Sequence, residues 1–148
     1  METLVLVLGW IGIFAPVSLG AIGSTIGCSK AGQAACGAML DVESGYGKFI
    51  GISAMPSTQA VLGIVIMFTL NREVTLLNAP GLFGVGVLSG LALAYCAYYQ
   101  GLSVASAINT AKVKPEVFGL SIAPAAIVEG FSVFVFVFSL VISGAIPG

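Results

Sequence analysis

The chain has 148 residues, of which 58% are hydrophobic and 7% charged, with a net charge of -1 and a mean hydropathy of +1.11. Soluble domains carry about 25% charged residues, so this is the composition of an integral membrane protein, and nothing in its charge points to a nucleic-acid partner. There is no histidine, which excludes an imidazole metal site and a histidine-dependent nucleophilic triad.

Met1–Glu2–Thr3 leads straight into apolar sequence without the basic stretch that opens a cleaved signal peptide. The first apolar run is therefore expected to be retained as a span. Four such segments follow one another, at about Leu4–Leu40, Phe49–Asn71, Pro80–Thr110 and Phe118–Ile146. Each meets the ~20 residues needed to cross a bilayer. The breaks are DVESGYGK at 41–48, REVTLLNA at 72–79 and AKVKPE at 111–116; apart from Glu2, Lys30 and Glu129, they hold every charge in the chain. Connections this short make consecutive helices antiparallel neighbours. The expected fold is an all-α membrane protein of four transmembrane helices arranged as two tandem hairpins, residues 1–74 and 75–148.

Lysine and arginine near span ends set orientation. Lys48, Lys112 and Lys114 lie in the first and third breaks, against Arg72 alone on the other side. Loops 41–48 and 111–116 are thus expected to face the cytoplasm. Cys28, Cys36 and Cys96 fall inside apolar segments without a CxxC spacing, and read as small packing residues.

The halves repeat. A shift of 70 positions lays Gly20 on Gly90, Ala35 on Ala105, Ile52 on Ile122 and Phe68 on Phe138. Segment one carries Gly20, Ser24, Gly27, Ala31 and Ala35 at helical spacing, and segment three carries Gly90, Ala94, Ala97, Gly101 and Ala105. Stripes of small residues let membrane helices approach closely. These repeats are parallel, unlike the inverted repeats of many secondary transporters.

The same shift lays Gln59 on Glu129, leaving one ionisable group deep in the four spans. A carboxylate at the centre of a span costs at least ~2.5–3.5 kcal/mol on insertion scales, so an intramembrane acid is a functional candidate; the alternative is a protonated side chain gluing helices together. Counting from the tip at Pro115, Glu129 and Gln100 both lie ~21 Å deep on adjacent helices at 1.5 Å per residue. Gln59, with Thr58 beside it, reaches the same depth counted from Gly45. Pro56 cannot bond the carbonyl of residue 52, which loosens the turn around Met55. One carboxylate with amide, hydroxyl and main-chain oxygens forms a hard donor set, and its single charge suits a monovalent cation or a proton. The same counting puts Lys30 nearly level with Gln59, where it reads as a snorkelling or intersubunit lysine and not as a partner of Glu129.

These residues carry a family resemblance. GSTIGCSKAG at 23–32 resembles the GxxxGxxKxG of V-type ATPase proteolipids. MPSTQ at 55–59, Gln100–Gly101 and AAIVE at 125–129 resemble the matching parts of the proteolipid (K-type) rotor subunit of prokaryotic V-type ATPases. The likeness runs the whole length of the chain in order and spacing. It implies a homo-oligomeric ring of four-helix subunits, surrounded by lipid in the cell (inner) membrane and turning against a stator that carries an essential arginine. It further implies a central stalk docked on loops 41–48 and 111–116. The sodium ligands it implies are Glu129, Gln59, Thr58, Gln100 and the main-chain oxygen of Met55. Sodium-pumping members place a tyrosine one turn after the glutamine; here that position is Leu62, which leaves Na+ and H+ both open as the carried ion.

The expected function is the proteolipid subunit of a rotary ATPase. Glu129 takes an ion from a stator half-channel, is neutralised by it, crosses the lipid during rotation and releases it at an exit. There is no phosphate loop, so nucleotide chemistry falls to partner subunits. Passive cation channels and small secondary transporters also use intramembrane acids, and a purely structural assembly protein is the third reading.

Overall fold

The computed structural model describes all residues, 1–148. Helix α1 spans Glu2–Met39, α2 Tyr46–Ser53, α3 Thr58–Leu70, α4 Ala79–Val113 and α5 Phe118–Ser143. α2 and α3 form one rod, Tyr46–Leu70, so four helical rods are long and apolar enough to cross a membrane. The expected all-helical fold of two tandem hairpins is what the chain adopts, with helix ends within about three residues of the sequence reading.

Local chemistry sets the breaks. Gly45 adopts a left-handed φ of 79°, open to glycine at little cost, and turns the chain into α2. Pro56 lacks an N–H, and Met55–Ser57 tightens into a 3-10 turn between α2 and α3. Pro80 sits in the first turn of α4, where its missing donor costs nothing. Pro115 opens a second 3-10 turn, Pro115–Val117, before α5.

The two long helices, α1 and α4, run parallel and touch backbone to backbone. A Cβ added at Gly27 would strike the Ala97 carbonyl, and one at Gly101 would strike the backbone of Gly27. At Gly90 it would come within 2.6 Å of the Ala15 oxygen, and at Gly86 it would overlap the Gly12 carbonyl. Those small residues are therefore required for this helix approach. Gly20 faces the other neighbour, since a Cβ there would lie 3.0 Å from the Gln59 carbonyl oxygen. The α2–α3 rod packs on α1, and α5 packs on α4.

Two apolar clusters fill the interior. Ala31, Ala35, Ala38, Phe49, Val104, Ile108, Ala111 and Ala125 lie toward the 41–48 and 111–116 loops. Ile13, Ile66, Leu70, Leu82, Leu93 and Ile146 lie toward the opposite end. At the loop end Lys112 pairs with Asp41 at 2.8 Å, and Lys48 lies over the rings of Phe49 and Phe118. At the other end Arg72 donates to the carbonyls of Thr69, Ser143 and Ile146, capping the last turns of α3 and α5 together. Large apolar side chains such as Phe14, Phe131, Phe134 and Phe138 point outward, the surface expected of a protein solvated by lipid or by neighbouring membrane chains.

Candidate functional site

Between the two apolar clusters lies a polar layer. Gln59 of α3, Gln100 of α4 and Ser132 of α5 are each fully buried, and Glu129 of α5 is half-buried beside them. Gln59, Gln100 and Ser132 fall at core-facing positions of apolar helices, so their side chains must find partners within the bundle. Buried polar groups without partners are costly, so the bonding pattern is tightly constrained.

A chain of hydrogen bonds links them. Gln100 Nε2 donates to Glu129 Oε2 at 3.2 Å and to the Ala125 carbonyl at 3.4 Å. Gln59 Nε2 donates to Gln100 Oε1 at 3.0 Å and to Ser132 Oγ at 2.9 Å. Gln59 Oε1 is buried and accepts nothing. Gln59, Gln100 and Glu129, level by counting along the sequence, are thus joined through hydrogen bonds centred on Gln100. Gln59 reaches Glu129 only through Gln100.

Thr58 and Met55 form a separate pair. The Thr58 hydroxyl and backbone N–H both donate to the Met55 carbonyl, the hydroxyl at 2.9 Å. Neither residue bonds to the amide chain. Leu62 packs with the Ile66 and Leu70 cluster and gives Glu129 no hydrogen bond.

The depth assigned to Lys30 needs correction. Gln59 is level with Gly20 and Ser24, because the Ala60 N–H donates to Ser24 Oγ at 3.1 Å. Lys30, six residues past Ser24, therefore lies ~9 Å closer to the 41–48 loop. It is exposed and forms no ion pair. Counting from one hairpin tip failed because α1 runs past the start of α2, and the 3-10 turn at Pro56 stretches the second rod relative to a continuous α-helix.

Two hydroxyl groups at this depth were not read from the sequence. Ser24 looks like one more small residue in a packing stripe, yet its hydroxyl bonds the first turn of α3. Ser132 is a small hydroxyl in the apolar run FSVFVFVF. Its one available signal was its place three residues after Glu129, on the same helix face. Beyond the layer, an open groove of about 540 Å³ lined by Ser103, Ser106, Thr110 and Ser121 runs between α4 and α5 as far as Pro124.

Chemically, every amide N–H of the layer is spent and two acceptors remain, the Gln59 oxygen and the Glu129 carboxylate. Such a set attracts a cation or a proton and repels an anion. No three His, Cys, Asp or Glu side chains cluster anywhere in the chain, and the donors of this layer are oxygens, the kind that suits a hard cation.

Comparison with known proteins follows the same division into halves. Residues 11–70 and 83–142 each match the family of the ATP synthase C subunit. The chain is 30% identical over 114 residues to the A-type ATP synthase subunit K of Methanocaldococcus jannaschii, an alignment covering 75% of this chain and 52% of that protein. The chain thus spans about half the length of this curated relative.

Proposed function

The chain belongs to the family of the ATP synthase C subunit, and we propose that it is the rotor-ring proteolipid of a rotary V/A-type ATPase and carries Na+ across the membrane on Glu129. Copies of the chain form a closed ring, helices α1 and α4 of each forming the most tightly packed pair. Loops 41–48 and 111–116 face the cytoplasm and dock the central stalk, and a stator arginine on another chain displaces the ion. Residues 1–74 and 75–148 act as the two hairpin units, of which only the second bears the acid.

The observation that carries the reading is the unpartnered, fully buried oxygen of Gln59 in one layer with Glu129. A desolvated sodium ion satisfies that oxygen and neutralises the carboxylate together. Gln59 Oε1 and Glu129 supply the principal ligands. Thr58 Oγ1, next to Gln59 in the chain, and the Met55 carbonyl, about one turn before it, supply further oxygens, and Gln100 orients the carboxylate. The physical requirement on a rotor is that the site be neutral while it faces lipid and charged at the stator.

A second reading has a specific observation behind it. Leu62 packs with its apolar neighbours and leaves Glu129 with Gln100 as its hydrogen-bond partner, an arrangement that also suits a proton held on the carboxyl group. Reconstituted vesicles containing the whole complex separate these readings. ATP-driven sodium uptake is expected with the native chain and none with Glu129→Gln, which retains size and hydrogen bonding so that assembly persists. Native vesicles that acidify without taking up sodium would replace sodium by the proton, and uptake by the Glu129→Gln complex at the native rate would overturn the role of Glu129.

A further inference from the structure

The polarity of the amide chain can be worked out from one end. The Ala125 carbonyl only accepts, so Gln100 must turn its NH2 toward it, and the same NH2 group meets the Glu129 carboxylate. Gln100 Oε1 is thereby turned to Gln59, which must present its own NH2 in return. An amide nitrogen has two N–H groups. The second one of Gln59 goes to Ser132 Oγ at 2.9 Å. With both donors committed, Oε1 is left as the free atom of Gln59.

We propose that Ser132 is a specificity-determining positioning residue: by taking the second N–H of Gln59 it holds that amide with Oε1 turned into the site as a fixed neutral ligand for a small alkali cation. This rests on the cation-carrier reading of Glu129. Without the Ser132 acceptor, Gln59 is tethered by one bond to Gln100 and its amide swings about it. A ligand oxygen at a fixed distance discriminates by ion size, whereas a mobile one adjusts to larger ions. Ser132 is three residues from Glu129 on α5 and fully buried, so one helix face sets both the carboxylate and the orientation of the amide across from it.

Ser132→Ala removes the acceptor. Ser132→Cys keeps the side-chain size with a poor acceptor, and Ser132→Thr keeps the hydroxyl. Radiolabelled sodium binding is measured on the purified protein, with potassium as competitor. The Ala and Cys variants are expected to bind sodium about tenfold more weakly, the factor carried by one orienting hydrogen bond. Their discrimination against potassium narrows, and Thr behaves as wild type. A role in packing alone would spare the Cys variant and leave the sodium-to-potassium ratio unchanged in all three, and that result overturns the proposal. The two readings fail differently: a wild-type protein that binds no sodium removes the sodium-carrier reading, while sodium binding unaltered by the Ala and Cys substitutions removes only the role of Ser132.

Discussion

Replacing Gln100 by leucine tests the polar layer most severely. The side chain is fully buried, accepts from Gln59 at 3.0 Å, and donates to Glu129 at 3.2 Å and to Ala125 at 3.4 Å. Leucine fills nearly the same volume and removes all three bonds. The Ala125 carbonyl lies within α5 and keeps its helical partner, so two groups are newly orphaned, one Gln59 N–H and Glu129 Oε2. At about 1–3 kcal/mol for each, set against about 1.5–3 kcal/mol gained by burying leucine, folding stability falls only modestly. The site suffers more. A hydrogen bond to a charged group contributes about 1.5–3 kcal/mol, so losing the group that orients the carboxylate should weaken sodium binding about 10–150-fold. Equilibrium binding of radiolabelled sodium, with thermal stability measured on the same preparation, reads both effects. Thr58→Val, whose hydroxyl bonds only the Met55 carbonyl, should cost less than Gln100→Leu. Sodium affinity within about twofold of wild type for Gln100→Leu would show that Gln100 does not orient the carboxylate.

Two further outcomes follow from packing and topology. Gly86→Ala forces a methyl group into the Gly12 carbonyl and should destabilise the assembly by at least ~1–3 kcal/mol, the usual range for overpacking, whereas Gly119→Ala meets nothing within 4 Å and should be neutral; detergent thermal melts compare them, and equal melting temperatures would contradict the close α1–α4 approach. Single cysteines placed at Glu43 and Glu116, in a chain whose native cysteines are replaced, should react with impermeant reagents only from the cytoplasmic side, and labelling from the outside would invert the proposed orientation.

The sequence displayed the helices because charge is confined to the breaks, where proline and glycine fix the turns. It also displayed the common depth of Gln59, Gln100 and Glu129, since equal counts from two hairpin tips give nearly equal depth. The counting misplaced Lys30 where regularity ended, at the 3-10 turn around Pro56 and the overhang of α1. Hydroxyl groups were the other blind spot. Ser24 and Ser132 are small enough to pass as spacers in an apolar run, and only their partners across the bundle, Ala60 and Gln59, give them a purpose. The bonds of Arg72 to Ser143 and Ile146, and of Lys112 to Asp41, join residues far apart in the chain and leave no periodic trace.

In the proposed site Glu129 and the free oxygen of Gln59 hold a sodium ion in common. Carbodiimides attack a protonated carboxyl, and N,N′-dicyclohexylcarbodiimide labelling of the purified protein at fixed pH reports whether Glu129 is free to react. Modification is expected to be confined to Glu129 and to slow as sodium rises, potassium to have little effect at the same concentrations, and Gln59→Ala to shift the protection to higher sodium. Labelling that follows pH alone and is indifferent to sodium would contradict the proposed site, and would make the chain a carrier of protons.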